Sequence, residues 1–276
     1  MKVAVMAAGG VGGYYGGVLA RLGHAVSFIA RGNHLKAIRE KGLTIKSVQG
    51  EFAVRPAKAT GNPAEVGPVD WILFAVKAYD TVQAAYAMQP MVGEHTTVLT
   101  LQNGVDQHER IGDVVGRERI LLGPTQIVSN IVAPGVIEQK SPFRSITIGE
   151  VGAKEVTPRV RHMVDELRRG GIDADAAPDG LVPLWHKFVF LACTGGLAAL
   201  ARTAPYNLFQ LPEARETLRQ AMVEVYAVGR AHSVQMDEDI VERQYKFALS
   251  LGPRDQPSVQ LDLARGRRIE IDALSG

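Results

Sequence analysis

The chain has 276 residues, 46% of them hydrophobic and 22% charged, and its formal net charge is +2. A chain of this length can bury a sizeable core, and the balance of 31 Lys and Arg against 29 Asp and Glu argues against a nucleic-acid partner. The lone Cys193 excludes an internal disulfide and a cysteine-based metal site, and it fits a reducing, cytoplasmic compartment.

The first half of the chain alternates strand patterns with helical ones. Strands are predicted at 2–6, 25–30, 71–76 and 97–101, and helices at 11–22, 34–41 and 157–169. Thr157 is the expected N-cap of the last of these helices, with Pro158 at its first position. The region 120–150, rich in β-branched residues, is expected to form the closing edge of the sheet. The alternation predicts a mostly parallel sheet with helices on each side.

The character of the sequence changes near Ala177-Pro178-Asp179-Gly180, after which strand patterns stop. Helices are predicted at 181–201, 214–234 and 238–251, followed by a helical tail at 257–274 that breaks at Gly266. The sequence therefore predicts two domains, an α/β domain over 1–172 and an all-helical domain over 178–276.

A glycine-rich turn follows the first strand and opens the first helix. It reads Ala7-Ala8-Gly9-Gly10-Val11-Gly12, the setting of a dinucleotide-binding turn, in which backbone without Cβ atoms and the helix N-terminus accept a pyrophosphate. The pattern is A-x-G-x-x-G, so an alanine stands at the first glycine position. Alanine fits there only if its φ is negative. Gly9 and Gly12 are expected to allow close approach of the ligand and close helix–strand packing.

The end of the second strand indicates which dinucleotide binds. NAD-binding turns usually have an acidic residue about 20 residues on, which holds the ribose 2′-hydroxyl. This chain has Ala30-Arg31-Gly32-Asn33 there, without an acid. Because a guanidinium suits a 2′-phosphate by charge and by its forked donors, Arg31 favours NADPH over NADH. The alternative is that Arg31 is a solvated surface side chain.

Further stretches carry a family resemblance. They are Gly9–Gly16, Phe28–Gly32, Val76-Lys77-Ala78-Tyr79, Gln102-Asn103-Gly104-Val105, Leu184-Trp185-His186-Lys187 and Ile269–Leu274. With these the whole chain resembles the ketopantoate reductase (2-dehydropantoate 2-reductase) family. The resemblance implies a Rossmann domain followed by a helical domain like the C-terminal domain of 6-phosphogluconate dehydrogenase. It also implies NADPH-dependent reduction of 2-dehydropantoate to pantoate, in pantothenate and coenzyme A biosynthesis.

The resemblance assigns the general acid to Lys187 and a substrate- and ribose-binding carboxylate to Glu270. Reduction of a 2-keto acid places a hydride on carbon and a proton on oxygen. A cation beside the carbonyl oxygen stabilises the negative charge that develops there and can also donate the proton. Burying a lysine in the apolar helix 181–201 costs free energy unless the lysine takes part in catalysis or is paired with a polar or charged group. The alternatives are a lysine that extends to water and a solvated glutamate.

Three more residues are candidates for ligand binding. Lys77 and Asn103 follow predicted strands, at the carboxyl ends where parallel sheets bind ligands. Lys77 is expected to place charge near the cofactor or the substrate carboxylate, and Asn103 to bind the ribose or the substrate carbonyl. Ser258 matches a serine of the family that binds the substrate carboxylate, or else caps a helix.

The chain departs from the family pattern in the helix that contains Lys187. The family has asparagines one and two turns after the catalytic lysine, where this chain has Leu191 and Gly195. Pantoate specificity is therefore open, and the alternatives are reduction of another 2-keto acid or a non-catalytic NADP(H)-sensing protein. The family pattern also continues beyond the Asp-Ala-Leu-x-Gly stretch, so the helical domain is expected to be incomplete at Gly276.

The remaining expectations concern metals and partners. The seven histidines show no ligand spacing, so no metal is expected, and His186 is expected to have no catalytic part because it faces away from Lys187. We expect a small 2-keto acid as the partner molecule and no membrane, since no run of about 18 apolar residues is apparent. A homodimer is an open alternative.

Overall fold

The structure is a computed structural model that describes residues 1–275, apart from the side chain of Pro142. The chain forms two compact units. Unit 1 contains Met1–Gln102 and Asp106–Gly180, and unit 2 contains Asn103–Val105 together with the chain from Leu181 onward.

Eleven strands, all within the described residues, form the sheet of unit 1. They are β1 (Lys2–Met6), β2 (Ala25–Ile29), β3 (Leu43–Ser47), β4 (Gly50–Val54), β5 (Lys58–Thr60), β6 (Val69–Phe74), β7 (Val92–Thr100), β8 (Ile120–Leu122), β9 (Thr125–Ala133), β10 (Val136–Glu150) and β11 (Asp173–Asp179). Their order is β4-β3-β10-β8-β7-β6-β1-β2-β5, and β9 and β11 also pair with β10. The stretch from β8 to β5 is parallel, so its strands all present their carboxyl ends at one edge.

The helices of the described chain fall into both units. They are α1 (Gly10–Arg21), α2 (Gly32–Lys41), α3 (Thr81–Met88), α4 (Gln107–Val115), α5 (Pro158–Arg169), α6 (Leu181–Ala201), α7 (Pro205–Leu208), α8 (Pro212–Ala231), α9 (Ile240–Leu249), α10 (Ser258–Ala264) and α11 (Ile271–Leu274). The expected α/β domain with a helical second part is confirmed.

Helices cover both faces of the sheet in unit 1. Along β1, Val3 and Val5 join a core with α1 and α5, whereas Ala4 and Met6 join a second core with α3 and α4. Successive strand residues point to opposite faces, so a strand covered on both sides must be apolar at every position. For this reason continuous apolar runs in the sequence predict the central strands.

The position of β10 differs from the expectation that 120–150 closes the sheet. β10 lies inside the sheet, because its 15 residues pair with different strands along its length. Val136–Gln139 pair with β3, Ser145–Glu150 pair with β11, and Gly149 pairs with β8. The prediction was wrong because the hairpin β3–β4 and the polar strand β11 were not recognised, and these extend the sheet beyond β10.

Unit 2 is built around α6, which begins and ends at the predicted residues. Trp185, Val189 and Cys193 on one side of α6 pack against α8 and α9, and α10 and α11 pack against another side. The predicted break at Gly266 is present, with φ of +64°. By length and composition α6 resembles a membrane-spanning helix, with mean hydropathy 1.4, but half of it is buried here, and core helices of globular proteins share these properties.

Candidate active site

The glycine turn of unit 1 presents the N-terminus of α1 at the carboxyl edge of the sheet. Gly9 precedes the helix, no described side chain caps it, and the first turn contains no acidic residue. The turn is bonded to the end of β2, because the Ala8 N–H donates to the Ile29 carbonyl over 2.7 Å. Free N–H groups and the positive end of the helix dipole therefore face outward, as an anion site requires.

The glycines of this turn serve different purposes. A Cβ built at Gly9 would meet no atom of the described residues within 4 Å, so the space above it is open. A Cβ at Gly12 would overlap the Ala7 carbonyl oxygen and lie 2.9 Å from Val5 Cγ1, and one at Gly10 would overlap the Ser129 carbonyl of β9. Gly9 thus leaves room for a ligand, whereas Gly10 and Gly12 allow α1 to pack tightly against the sheet.

Ala7 contradicts the expectation that its φ is negative. Its φ is +75°, in the left-handed region that favours glycine. For an alanine this conformation costs about 1–2 kcal/mol. The turn therefore keeps the backbone path of the first glycine in the usual motif, and contacts around the turn must compensate for the strain.

Arg31 and Lys77 lie at the same edge of the sheet as the turn. Arg31 is the N-cap of α2, directly after β2, and its side chain is exposed. Lys77 is half-buried and precedes a short 3₁₀ turn, Ala78–Asp80, after β6. Since β2 and β6 both flank β1, the two cations lie on either side of the strand that leads into the glycine turn.

Lys187, Asn103 and Glu270 come together in unit 2. Lys187 Nζ donates to Asn103 Oδ1 over 2.9 Å. Burial lowers the pKa of the Lys187 ammonium to about 8, and the carboxylate of Glu270, 7% exposed, opposes that shift. The result is an ammonium that stays protonated at neutral pH and yet gives up its proton more readily than an ordinary lysine.

Ser258 lies at the start of α10 and is exposed. The N-cap of α10 is Pro257, so Ser258 is its first helical residue rather than its cap. Its hydroxyl is therefore available to solvent or to a ligand.

Comparison with known proteins decides the family. The family model "Ketopantoate reductase PanE/ApbA" matches residues 3–153, and that of the family's C-terminal part matches 182–276. The chain belongs to the ketopantoate reductase family. A 2-dehydropantoate 2-reductase of Mesorhizobium japonicum is 30% identical, over 99% of this chain and 89% of the relative.

Solved structures share the fold. The 2-dehydropantoate 2-reductase of Geobacter metallireducens is 30% identical with a TM-score of 0.92, over 99% of this chain and 90% of that one. A D-mandelate dehydrogenase solved with NADH and anilino(oxo)acetate has a TM-score of 0.89 at 22% identity, over 99% of this chain and 89% of that one, a similarity of fold. The family consists of oxidoreductases, so the chain is an enzyme of that class.

The departure from the family pattern on α6 has a packing reason at each of its two positions. A Cβ at Gly195 would lie 3.1 Å from Val259 Cγ1 of α10, so a larger side chain would push α10 away from α6. Leu191 is half-buried and packs in the small core that contains Val259 and Leu274. Both positions therefore serve the packing of α10 and α11 against α6 in this chain.

A buried polar network around Gln102 in unit 1 was not anticipated from the sequence. Gln102 Nε2 donates to Thr81 Oγ1 over 2.7 Å and to the Val76 carbonyl over 3.1 Å, and Thr81 Oγ1 donates to Gln107 Oε1 over 2.7 Å. These bonds fix the ends of β6 and β7 and the start of α4. No local sequence pattern predicts such a network, because its members are far apart in the sequence.

Proposed function

We propose that this enzyme reduces 2-dehydropantoate to pantoate with NADPH and acts in the cytoplasm. The observation that carries the proposal is the partly buried ammonium of Lys187, which donates to Asn103 and whose pKa is lowered by burial to about 8 although the carboxylate of Glu270 opposes that shift. A proton donor of this kind suits the reduction of a carbonyl group at neutral pH.

The residues of unit 1 fit NADPH. The open space above Gly9 and the free N-terminus of α1 would hold the pyrophosphate, through the backbone of Ala7, Ala8, Gly9, Gly10, Val11 and Gly12. Arg31, exposed after β2, would bind the 2′-phosphate, and Lys77 would add positive charge. We assign the ribose to Asn103 and Glu270 on the family resemblance.

The reaction needs a hydride on the keto carbon and a proton on its oxygen. When bound, NADPH supplies the hydride. Lys187 would donate a hydrogen bond to the keto oxygen, stabilise the negative charge that develops there, and pass its proton to that oxygen. Asn103 would orient the ammonium, and Ser258 would bind the substrate carboxylate.

A second candidate is reduction of another 2-keto acid. The observation that favours it is Leu191, an apolar side chain where the family pattern has an amide. A site without that amide loses a hydrogen-bond partner for the hydroxyl group of 2-dehydropantoate, and such partners discriminate strongly among substrates.

The test is NADPH oxidation, followed by absorbance, with 2-dehydropantoate and with a panel of 2-keto acids that lack its hydroxyl group. We expect the largest kcat/KM with 2-dehydropantoate and NADPH, and a smaller value with NADH. A larger kcat/KM for another acid would favour the second candidate. Coenzyme binding without turnover of any acid would instead indicate a non-catalytic NADP(H)-sensing protein. Light scattering of the same sample distinguishes a monomer from the homodimer that the sequence leaves open.

A further inference from the structure

His34 connects three segments of unit 1 around the glycine turn. Its Nε2 donates to the Ala8 carbonyl over 2.9 Å, and the Gly135 N–H donates to its Nδ1 over 3.0 Å. A carbonyl only accepts and an amide N–H only donates, so these partners require the neutral ring with its proton on Nε2. Burial lowers the pKa of His34, which favours that neutral form.

The Ala8 carbonyl belongs to the strained part of the turn. Ala7 is left-handed, with φ of +75°, and such a conformation persists only where its surroundings over-determine it. Ala8 is fixed on both sides, since its N–H donates to the Ile29 carbonyl and its carbonyl accepts from His34. Of these two bonds, the bond from His34 is the one made by a side chain.

The same ring also ties the turn to the helix that begins at Arg31. His34 lies in the first turn of α2, three residues after Arg31. Gly135 lies against α2 as well, because a Cβ built there would be 3.1 Å from Ala37 Cβ. One imidazole thus holds the glycine turn, the start of α2 and the β9–β10 turn together.

We infer that His34 is a positioning residue of the coenzyme site, which hydrogen-bonds Ala8 to keep the glycine turn in its pyrophosphate-binding conformation and at a fixed spacing from Arg31. This inference deepens the proposed function and rests on its coenzyme assignment. His34 is not a catalytic residue, since its two hydrogen bonds are both made to backbone atoms of the protein.

Two substitutions separate the two bonds of the ring. In His34→Gln the side-chain amide nitrogen takes the place of Nε2, which preserves a donor for Ala8 and removes the acceptor for Gly135. In His34→Asn the side-chain oxygen takes the place of Nδ1, which preserves the acceptor and removes the donor. His34→Ala removes both.

The control is His24→Gln. His24 is also partly buried in unit 1 and also bonds two partners, Glu166 and the N-terminal amine, but it precedes β2 and so lies at the opposite end of the strands.

Dissociation constants for NADPH and NADH are measured by fluorescence titration, with the Tm of each variant and the KM for the keto acid at saturating NADPH.

We expect His34→Asn and His34→Ala to weaken the binding of both coenzymes about fivefold to tenfold, the value of one hydrogen bond. NADPH and NADH should be affected alike, because they share the pyrophosphate. His34→Gln should stay within about twofold of the wild type, the KM for the keto acid should not change, and His24→Gln should lower Tm without weakening coenzyme binding.

Unchanged coenzyme binding in His34→Ala, or an equal loss in His34→Gln and His34→Asn, would overturn the inference and leave the proposed function intact. If the His34 variants bind coenzyme more weakly than the wild type, as expected, but the wild type reduces no keto acid, the proposed function alone is overturned. A wild type that binds neither coenzyme would overturn both.

Discussion

The glycine turn of unit 1 and the lysine site of unit 2 are built in opposite ways. The turn consists of consecutive residues and presents backbone N–H groups, so its chemistry depends on where Cβ atoms are missing. The lysine site consists of three side chains, Lys187, Asn103 and Glu270, from distant parts of the chain. A backbone site should tolerate most side-chain changes and fail where a Cβ intrudes, whereas a side-chain site should fail when one group is removed.

Lys187→Ala should give the largest effect. Loss of the proton donor should lower kcat about 10³-fold, within the range of general acid catalysis, while the NADPH dissociation constant changes little. Steady-state kinetics and fluorescence titration measure the two. Lys187→Arg is the matched variant, since it retains the charge but holds its proton too tightly to donate it, and it should also lose most of kcat. Native turnover in Lys187→Ala would remove this residue from the mechanism.

Arg31→Ala tests a side chain that is expected to contact the coenzyme directly. Loss of charge-assisted hydrogen bonds to the 2′-phosphate should weaken NADPH binding about tenfold to a hundredfold and leave NADH binding unchanged. Lys36→Ala removes another exposed cation of α2 and serves as the control. An equal loss for both coenzymes would show that Arg31 does not select the phosphate.

Gly12→Ala and Gly9→Ala should separate folding from binding within the turn. At Gly12 the new methyl group would overlap the Ala7 carbonyl oxygen, so we expect a loss of about 1–3 kcal/mol in the free energy of unfolding. At Gly9 the space is open, so stability should change by less than about 0.5 kcal/mol while NADPH binding weakens. Denaturant unfolding and coenzyme titration distinguish the two, and identical behaviour of the variants would contradict the assignment.

Ala7→Gly should give the smallest effect and a favourable one. Glycine relieves the left-handed strain of about 1–2 kcal/mol but adds freedom to the unfolded chain, so the free energy of unfolding should rise by at most about 1 kcal/mol. Thermal unfolding measures this. A clear loss of stability would show that the alanine methyl group makes contacts that outweigh the strain.

The sequence predicted the parts of the fold that depend on local pattern. Continuous apolar runs identified the central parallel strands, and α6 was predicted to the residue because one long, mostly apolar segment forms it. The hairpin β3–β4, the strand β11 and the helices α3 and α4 were not predicted. β11 is rich in Asp and Ala and half exposed, and it forms because β10 offers it a partner, which no local pattern reveals.

The candidate site shows the same division. The turn at 7–12 was predictable because its residues are consecutive, yet the positive φ of Ala7 was not, since tertiary contacts impose it. The bond between Lys187 and Asn103 joins residues 84 apart, and that between His34 and Ala8 joins residues 26 apart. The role of His34 could not be predicted from the histidine spacing, because its partners Ala8 and Gly135 are brought to it by the fold, although its place three residues after Arg31 was a signal.

The dependence of kcat/KM on pH is the most direct test of Lys187 as the proton donor, because it reports the ionisation of Lys187 in the free enzyme. Burial lowers the pKa of this acid to about 8, and the acid acts only when protonated, so kcat/KM for 2-dehydropantoate should fall as pH rises through about 8. In Asn103→Ala the ammonium loses its acceptor, so the fall should move to lower pH. A wild-type profile that stays level up to pH about 10, the range of an ordinary lysine, would contradict the assignment of Lys187 as the proton donor.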